Sequence, residues 1–397
     1  MRRYHYLKST GKNRPLTFEQ LENRTLLAGN VTAMVDSSGN LDVTGDAASN
    51  AIQVTQLASG QWKVTGIATK INGSNAAFIT TNANPVTGDI DISLGQGNNT
   101  LKMLNGNAPA DINITSGSGN DVLKLSNLTC NPSSGTLSID AGDGTNVVTL
   151  NNITTGFEIS ITGGANADAI AVSNVDTLDL GVSAGNGTNV IALNNASTRD
   201  MHISGGANSD SVALNNVSSF KDLEVDLGDG TNSLTVNHFS QSDSFGTTIT
   251  AGNGRNSIAL ANVNLEASPD GGRLSIQTGD GLDAIALTNV SLSGCPLSIT
   301  AGNGNDVISL SHITDSDNLG IDTGDGTDAV ALNKVTAQTA DVEVGLGKFD
   351  TVAVVNTTIT DDASFDDGGG ANGIIIGTRN HFEGALTVTG FAYRVGI

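Results

Sequence analysis

Apolar and polar residues alternate in short runs along most of the chain, and a glycine-rich turn separates one run from the next. Residues 275–290 show the unit: SIQTGDGLDAIALTNV holds one alternating run, a turn that closes at Asp283, and a second run through Ile285 and Leu287. Alternation with a period of two is typical of a strand that has one buried face. Each unit therefore predicts two short strands joined by a tight turn.

The Asp or Asn that closes each turn marks the repeat, and we call these residues the anchors. The anchors are Asn50, Asn99, Asp121, Asn146, Asp168, Asn189, Asp210, Asn232, Asn256, Asp283, Asp306, Asp328, Asp350 and Asn372. Successive anchors lie 21 to 27 residues apart, except for a first gap of 49 that we interpret as two periods. A period this regular predicts a solenoid, in which each coil packs on its neighbours.

The residues two and four positions after each anchor predict how the coils stack. All 28 of these positions are apolar. Identical strands that stack in one direction form parallel sheets. We therefore predict an all-β fold, namely a single-stranded right-handed parallel β-helix or β-solenoid of about 14–15 coils of about 22 residues. The inter-strand spacing gives it a length of roughly 70 Å.

A second polar position recurs six residues after most anchors. It holds Asn105, Asn127, Asn152, Asn174, Asn195, Asn216, Asn262, Asn289 and Asn356, with His238, His312 and Lys334 as exceptions. Stacked asparagines can hydrogen-bond amide to amide from coil to coil and satisfy polar groups inside a turn. We predict an asparagine ladder with a structural role.

The middle residue of the second strand is often alanine. The alanines are Ala171, Ala192, Ala213, Ala259, Ala286, Ala331 and Ala353. A row of alanines on an outer face forms a flat, weakly polar stripe that could dock against an extracellular glycan, a surface protein or another copy of the chain. The alternative is that small residues suit a crowded corner of the coil.

The repeats divide the chain into segments. Residues 31–376 are predicted to form the β-solenoid, with an irregular coil over 55–87 that contains Trp62, the only tryptophan. The pattern ends after Ile376, and the aromatic residues Phe382 and Tyr393 indicate that 377–397 form a C-terminal cap. Residues 1–30 are basic and fit none of the repeat pattern. They are interpreted as an export leader or a disordered basic tail.

Residues 18–28 read FEQLENRTLLA and resemble the N-terminal Leu-Glu-Pro-Arg-x-Leu-Leu segment of planctomycete surface and secreted proteins. Asn23 stands where that family usually has proline. The resemblance implies an exported protein with an extracellular or cell-surface location. The alternative is a chance match within a basic tail, since the segment lacks the apolar core of an ordinary signal peptide.

The charge of the chain excludes some partners. The formal net charge is −22, and residues 31–397 carry 12 basic against 38 acidic residues, which is −26. Such a surface repels nucleic acid and attracts cations or basic partners. No apolar run is long enough for a transmembrane helix. Cys130 and Cys295 lie seven coils apart, about 34 Å at the inter-strand spacing, and are therefore expected to be unpaired within the chain.

The turns resemble the calcium-binding nonapeptide of repeats-in-toxin proteins, Gly-Gly-x-Gly-x-Asp-x-apolar-x. The resemblance implies calcium held by turn carbonyls and by the aspartates of neighbouring coils. The expected ligands are four consecutive anchors, Asp283, Asp306, Asp328 and Asp350, together with Asp280 and Asp325 of the same turns. Carboxylates about 5 Å apart repel each other by roughly 1 kcal/mol in water, so a stacked run requires good solvation or a hard cation such as calcium. The alternative is that Gly-Asp-Gly-x-Asp is turn chemistry alone.

An enzyme is the remaining alternative, since parallel β-helices host polysaccharide lyases and hydrolases. Arg255 and Arg273 are the only basic residues near both the dense aspartate turns and the long insertion at 261–273. The histidines show no metal spacing and no nucleophile motif is present, so we predict no catalytic residue. The predicted function is a non-enzymatic structural or adhesive β-solenoid. The alternatives are a calcium-binding module and a polysaccharide-acting enzyme.

Overall fold

The computed structural model describes residues 29–244, 246–267, 272–370 and 372–397. These ranges contain strands and no helix. The strands, numbered β1 to β34 in chain order, are Asn30–Val35, Leu41–Gly45, Ala51–Gln56, Trp62–Gly66, Lys70–Ile71, Phe78–Ile79, Ile90–Ser93, Thr100–Ala108, Ile112–Thr115, Val122–Cys130, Leu137–Asp140, Val147–Thr154, Glu158–Ala165, Ala169–Asp176, Asp179–Asn186, Val190–Thr198, Asp200–Ser204, Ser211–Ser219, Asp222–Asp226, Ser233–Ser244, Gly246–Thr250, Ser257–Ala267, Leu274–Gln277, Ala284–Ser291, Leu297–Thr300, Val307–Asp322, Ala329–Glu343, Thr351–Val355, Thr358–Ile359, Ala363–Asp366, Ile374–Thr378, His381–Phe382, Leu386–Thr389 and Tyr393–Val395. The predicted export leader lies outside the described residues.

Each central coil consists of a short strand, a glycine-rich turn and a longer strand. The short strand β11 pairs in parallel with β9 and β13, and the long strand β12 pairs in parallel with β10 and β14. The apolar positions stack in register, so that Leu123, Val148 and Ile170 follow one another along the core. This confirms the predicted β-solenoid, which has about 13 turns of about 22 residues.

A left-handed residue bends most of the long strands six positions after the anchor. Asn152, for example, has φ 57°. Among residues with a Cβ, Asn tolerates this conformation best. Asn127 Nδ2 donates to Asn105 Oδ1 at 2.9 Å, and Asn152 Nδ2 donates to Asn127 Oδ1 at 2.9 Å. The asparagine ladder is therefore confirmed. It lies on the exposed outside of the bend, whereas the sequence predicted it inside a turn.

The N-terminal coil differs from the prediction. β3 pairs directly with β8, and the Asn50 backbone N–H donates to Asn99 Oδ1 across 49 residues. Residues 55–87 therefore do not form an irregular coil between them. β4 instead runs antiparallel to β3, and β6 antiparallel to β4. The first gap is thus one coil with an antiparallel excursion, which contributes to the difference from the predicted 14–15 coils.

The excursion closes the N-terminal end of the core. Trp62 on β4 is only 1% exposed. Its ring covers Gly106, where an added Cβ would lie 2.2 Å from Trp62 Cη2. Glycine at 106 leaves room for the indole, which supplies the apolar cover that a preceding coil would otherwise give.

Residues 377–397 continue the parallel stacking. β32, β33 and β34 pair in parallel with β29, β30 and β31. The rings of Phe365 and Phe382 meet edge to face with centroids 6.3 Å apart. The predicted C-terminal cap is thus built as a further layer of the solenoid. Within the described residues, no helix is long and apolar enough to cross a membrane.

The two cysteines lie in the core. Cys130 and Cys295 are both buried and both free, as the coil spacing predicted. Burial, with a smaller contribution from the charge of Asp111, raises the pKa of the Cys130 thiol to about 12. Neither thiol is therefore poised for thiolate chemistry.

Candidate functional site: two ladders in the glycine-rich turns

The four consecutive aspartate anchors lie inside the solenoid. Asp306 and Asp350 are 0% exposed, and Asp283 and Asp328 are 2% exposed. The structure therefore brings these four predicted site residues into one stack. It places the other two predicted ligands, Asp280 and Asp325, on the exposed outer side of the same turns.

The anchors form a hydrogen-bonded chain that we call the inner ladder. Its members are Asn50, Asn99, Asp121, Asn146, Asp168, Asn189, Asp210, Asn232, Asn256, Asp283, Asp306, Asp328 and Asp350. The Oδ1 of Asp283 accepts the backbone N–H of Asn256 at 2.7 Å, and the Oδ1 of Asp306 accepts that of Asp283 at 2.8 Å. The other neighbouring members make the same contact, except that the Asn232 N–H donates to the carbonyl of Arg255. Each anchor thus binds its coil to the preceding coil.

The middle residue of the turn forms an outer ladder that runs in the opposite direction. Its members are Asp229, Asn253, Asp280, Asn303 and Asp325. Asp280 Oδ1 accepts the backbone N–H of Asn303 at 3.0 Å, and Asp325 Oδ1 accepts that of Leu346 at 3.1 Å. Each turn in this region is therefore bonded forward on its outside and backward on its inside.

Asparagine anchors use their second side-chain atom as a donor. Asn146 Nδ2 donates to the carbonyls of Gly142 and Gly144 at 2.9 and 3.3 Å. Asn99 Nδ2 makes the equivalent bonds at 3.1 and 2.9 Å. The amide group closes its own glycine-rich turn from inside. An aspartate at the same place has an oxygen where the amide nitrogen would be, and an ionised oxygen cannot donate.

The second oxygens of several aspartate anchors are buried without a hydrogen-bond partner. They are the Oδ2 atoms of Asp121, Asp210, Asp283, Asp306 and Asp350. Burial raises the pKa of Asp306 to about 7; the backbone N–H of Asp283 opposes the increase, and the charges of Asp328 and Asp283 add to it. Burial also raises the pKa of Asp328, to about 6, although Thr323 Oγ1 donates to its Oδ2 at 2.8 Å.

The stack ends in an acid that the repeat pattern did not identify. Asp367 is 0% exposed, and its carboxyl fills the place where Gly373 has no side chain. Burial and the charge of Asp350 raise its pKa to about 6. The predicted last anchor, Asn372, is exposed instead. The sequence did contain a sign of this, because Asp367 lies two residues after the inward-facing Phe365 and therefore faces the same side of the strand.

The carboxylates of these turns do not converge on a common point that would suit a calcium ion. Calcium takes six to eight oxygen ligands. Within the described ranges, no group of three or more His, Cys, Asp or Glu side chains could hold a metal ion. Asp280 and Asp283 belong to one turn but lie on its outer and inner sides, and the Oδ1 of each already accepts a backbone N–H.

The structure also places the two arginines that the enzyme alternative required. Arg255 and Arg273 are exposed, and neither forms an ion pair with a carboxylate in the described part of the chain. Of the aspartates in the neighbouring turn, Asp283 faces inward and Asp280 faces outward. No described acidic and basic pair therefore converges at this predicted position.

The alanine row lies on a flat outer face. Ala171, Ala192 and Ala213 stack in register on neighbouring strands, and all three are exposed. Val147 and Val190, the first outward residues of their strands, are 37% and 51% exposed. These three alanines therefore lie on an open surface, whereas Ala259 and Ala353 of the same row are half-buried.

Comparison of the chain with protein-family models, with curated proteins and with solved structures finds no match in any of the three.

Proposed function

We propose that the protein is an exported structural or adhesive β-solenoid of the cell surface or extracellular matrix, and that it acts without catalysis. The observation that carries the proposal is that the buried polar side chains of the inner ladder join neighbouring coils. Their hydrogen bonds run from Asn50 to Asp350. About 13 coils joined in this way make a rod of roughly 60 Å at the inter-strand spacing,.

The outer faces support an adhesive role. The exposed alanine row and the valines beside it form a flat, weakly polar strip on a chain with a net charge of −22. A strip of this kind suits a flat partner, such as an extracellular glycan or a surface protein. The acidic surface favours partners that are neutral or basic. Export is supported by the resemblance of residues 18–28 to the leader of planctomycete surface proteins.

A binding experiment with face-directed variants tests this proposal. The full chain is applied to a glycan array and to cell-envelope proteins of the source cells, beside Ala192→Glu. Ser138→Glu is the matched control, since Ser138 is exposed on β11, outside the alanine face. We expect binding that Ala192→Glu reduces at least tenfold and Ser138→Glu leaves unchanged. Polysaccharide cleavage by the purified chain, or a cytosolic location in fractionated cells, would overturn the proposal.

A further inference from the structure

We propose that the run Asp283, Asp306, Asp328 and Asp350 is neutralised by protons and not by calcium, and that Asp306 holds its proton where an asparagine of the inner ladder carries an amide N–H.

The first support is that Asn and Asp are interchangeable in the inner ladder. The Oδ1 atom accepts the same backbone N–H from either residue type, at 2.9 to 3.0 Å for asparagine and 2.6 to 2.9 Å for aspartate. The second side-chain atom takes the same place in the turn in both cases, since a Cβ added five positions before Asn50 would come within 2.7 Å of its Nδ2. In Asn146 that atom is a donor to turn carbonyls. A protonated carboxyl can donate from this atom, whereas a carboxylate leaves a buried charge without a partner at Asp306 Oδ2,.

The residue five positions before the anchor lies beside this second atom. An added Cβ at Gly163 or Gly205 would come within 2.5 or 2.8 Å of the Oδ2 of Asp168 or Asp210. The position is apolar before most asparagine anchors, and before most aspartate anchors it is glycine or a hydroxyl residue. The apolar residues are Leu94, Ala141, Ala184, Leu227 and Ala251, and the hydroxyl residues are Ser116, Thr278 and Thr323.

Asp306 has no hydrogen-bonding residue beside its second carboxyl oxygen in the described part of the chain. The residue five positions before it is Ala301, which offers neither a hydroxyl nor the open space of glycine. The titratable groups that face it are Asp283 in the preceding coil and Asp328 in the next, both acidic. No described basic side chain lies beside the stack to balance a charge at Asp306. Protonation of Asp306 removes the like-charge repulsion at the centre of the run.

The experiment compares the pH dependence of unfolding in the full chain, in Asp306→Asn and in Asp280→Asn. Urea unfolding is followed by circular dichroism from pH 5 to pH 8, with 5 mM calcium chloride or with chelator. Between pH 5 and pH 7 one proton bound only in the folded state changes the unfolding equilibrium constant tenfold per pH unit. We expect the unfolding equilibrium constant of Asp306→Asn to depend less steeply on pH, by a factor of ten per pH unit. Asp280→Asn, an exposed member of the outer ladder, should leave the slope unchanged.

Calcium and protons give opposite signs. Calcium binds carboxylates, so it would stabilise the chain more as the pH rises. We expect no shift of the unfolding midpoint between calcium and chelator at pH 8, and a carboxylic-acid carbonyl band in infrared difference spectra at pH 6 that Asp306→Asn weakens. A calcium-dependent increase of the midpoint that Asp306→Asn abolishes, or an unchanged pH slope in that variant, would overturn the proposal.

Discussion

Replacing Asn146 by aspartate copies the surroundings of Asp306 into the N-terminal part of the inner ladder. Asn146 has an aspartate on both sides in the stack, as Asp306 does. The residue five positions before it is Ala141, which matches Ala301 before Asp306. Both alanines are 0% exposed. The pKa of the new carboxyl is therefore expected to rise in the same way as that of Asp306.

The magnitude follows from linkage. Burial raises the pKa of Asp306 from 3.8 to about 7. A group whose pKa is higher in the folded state stabilises the fold fully below its unfolded pKa, and this stability is lost as the pH rises towards the folded pKa. At about 1.4 kcal/mol per pKa unit, Asn146→Asp costs about 4 kcal/mol above pH 7. About 2–3 kcal/mol of this cost develops between pH 5 and pH 8.

The assay is urea unfolding of wild type and Asn146→Asp at pH 5 and pH 8, read by circular dichroism. Asn146→Ala is the matched control. It removes the acceptor for the Asp121 N–H and the donor to the Gly142 carbonyl, so it costs about 1–3 kcal/mol for each group left unpaired, with little change between the two pH values,. A penalty for Asn146→Asp that is equal at pH 5 and pH 8 would refute the reasoning.

Two further substitutions test other parts of the fold. Trp62→Ala uncovers Gly106 and is expected to lower the free energy of unfolding by about 3–5 kcal/mol,. Unfolding is followed by circular dichroism, because the chain has no other tryptophan to report by fluorescence. An unchanged melting temperature would show that the excursion does not close the core. Asn195→Ala places a Cβ without a polar group at φ 55°, and is expected to cost about 1–2 kcal/mol, whereas Asn195→Gly keeps the bend at little cost. Equal losses of stability in both Asn195 variants would instead assign the effect to the side-chain hydrogen bond that Asn195 Nδ2 donates to Asn174 Oδ1.

The solenoid could be predicted from the sequence because its period and its apolar parity repeat at every coil. The alternation of apolar residues shows which face of a strand is buried, but it does not show whether the neighbouring strand is parallel or antiparallel. The segment after Asn50 alternates like a solenoid strand, and only its loop shows that it returns on itself. Residues 57–60 end in Gly60 at φ 83°, which is typical of a hairpin loop,. The antiparallel excursion was therefore missed, although its signal was local.

The sequence pattern identified the four consecutive aspartates that stack in the structure, but it did not predict that they face inward. Asp283 has the same parity as Ile285 and Leu287, which places all three inward, yet a turn interrupts alternation and hides the relation. Asp280 lies three residues earlier and faces out. The sequence pattern therefore grouped two aspartates that the turn separates. The partner of each Oδ1, a backbone N–H of the adjacent coil, depends on stacking and has no signature in one repeat.

The order of Asn and Asp along the inner ladder predicts where the solenoid opens first. From Asn99 to Asn232 an amide separates every two acids, so Asp168 and Asp210 have pKa values raised by burial without an acidic neighbour in the stack. From Asp283 onward the acids are adjacent, and their charges act on one another as the pH rises. Repulsion is therefore concentrated in the C-terminal coils.

Because a solenoid coil contacts only its neighbours, this local cost is expected to act locally. Amide hydrogen exchange at pH 6 and pH 8, corrected for the intrinsic rate, measures it coil by coil. We expect protection of the strands between Val307 and Val355 to fall at pH 8, while the strands between Val122 and Ser219 keep theirs. Equal loss of protection in both regions would mean that the adjacent acids do not set the stability of their coils, and the order of Asn and Asp would then carry no energetic consequence.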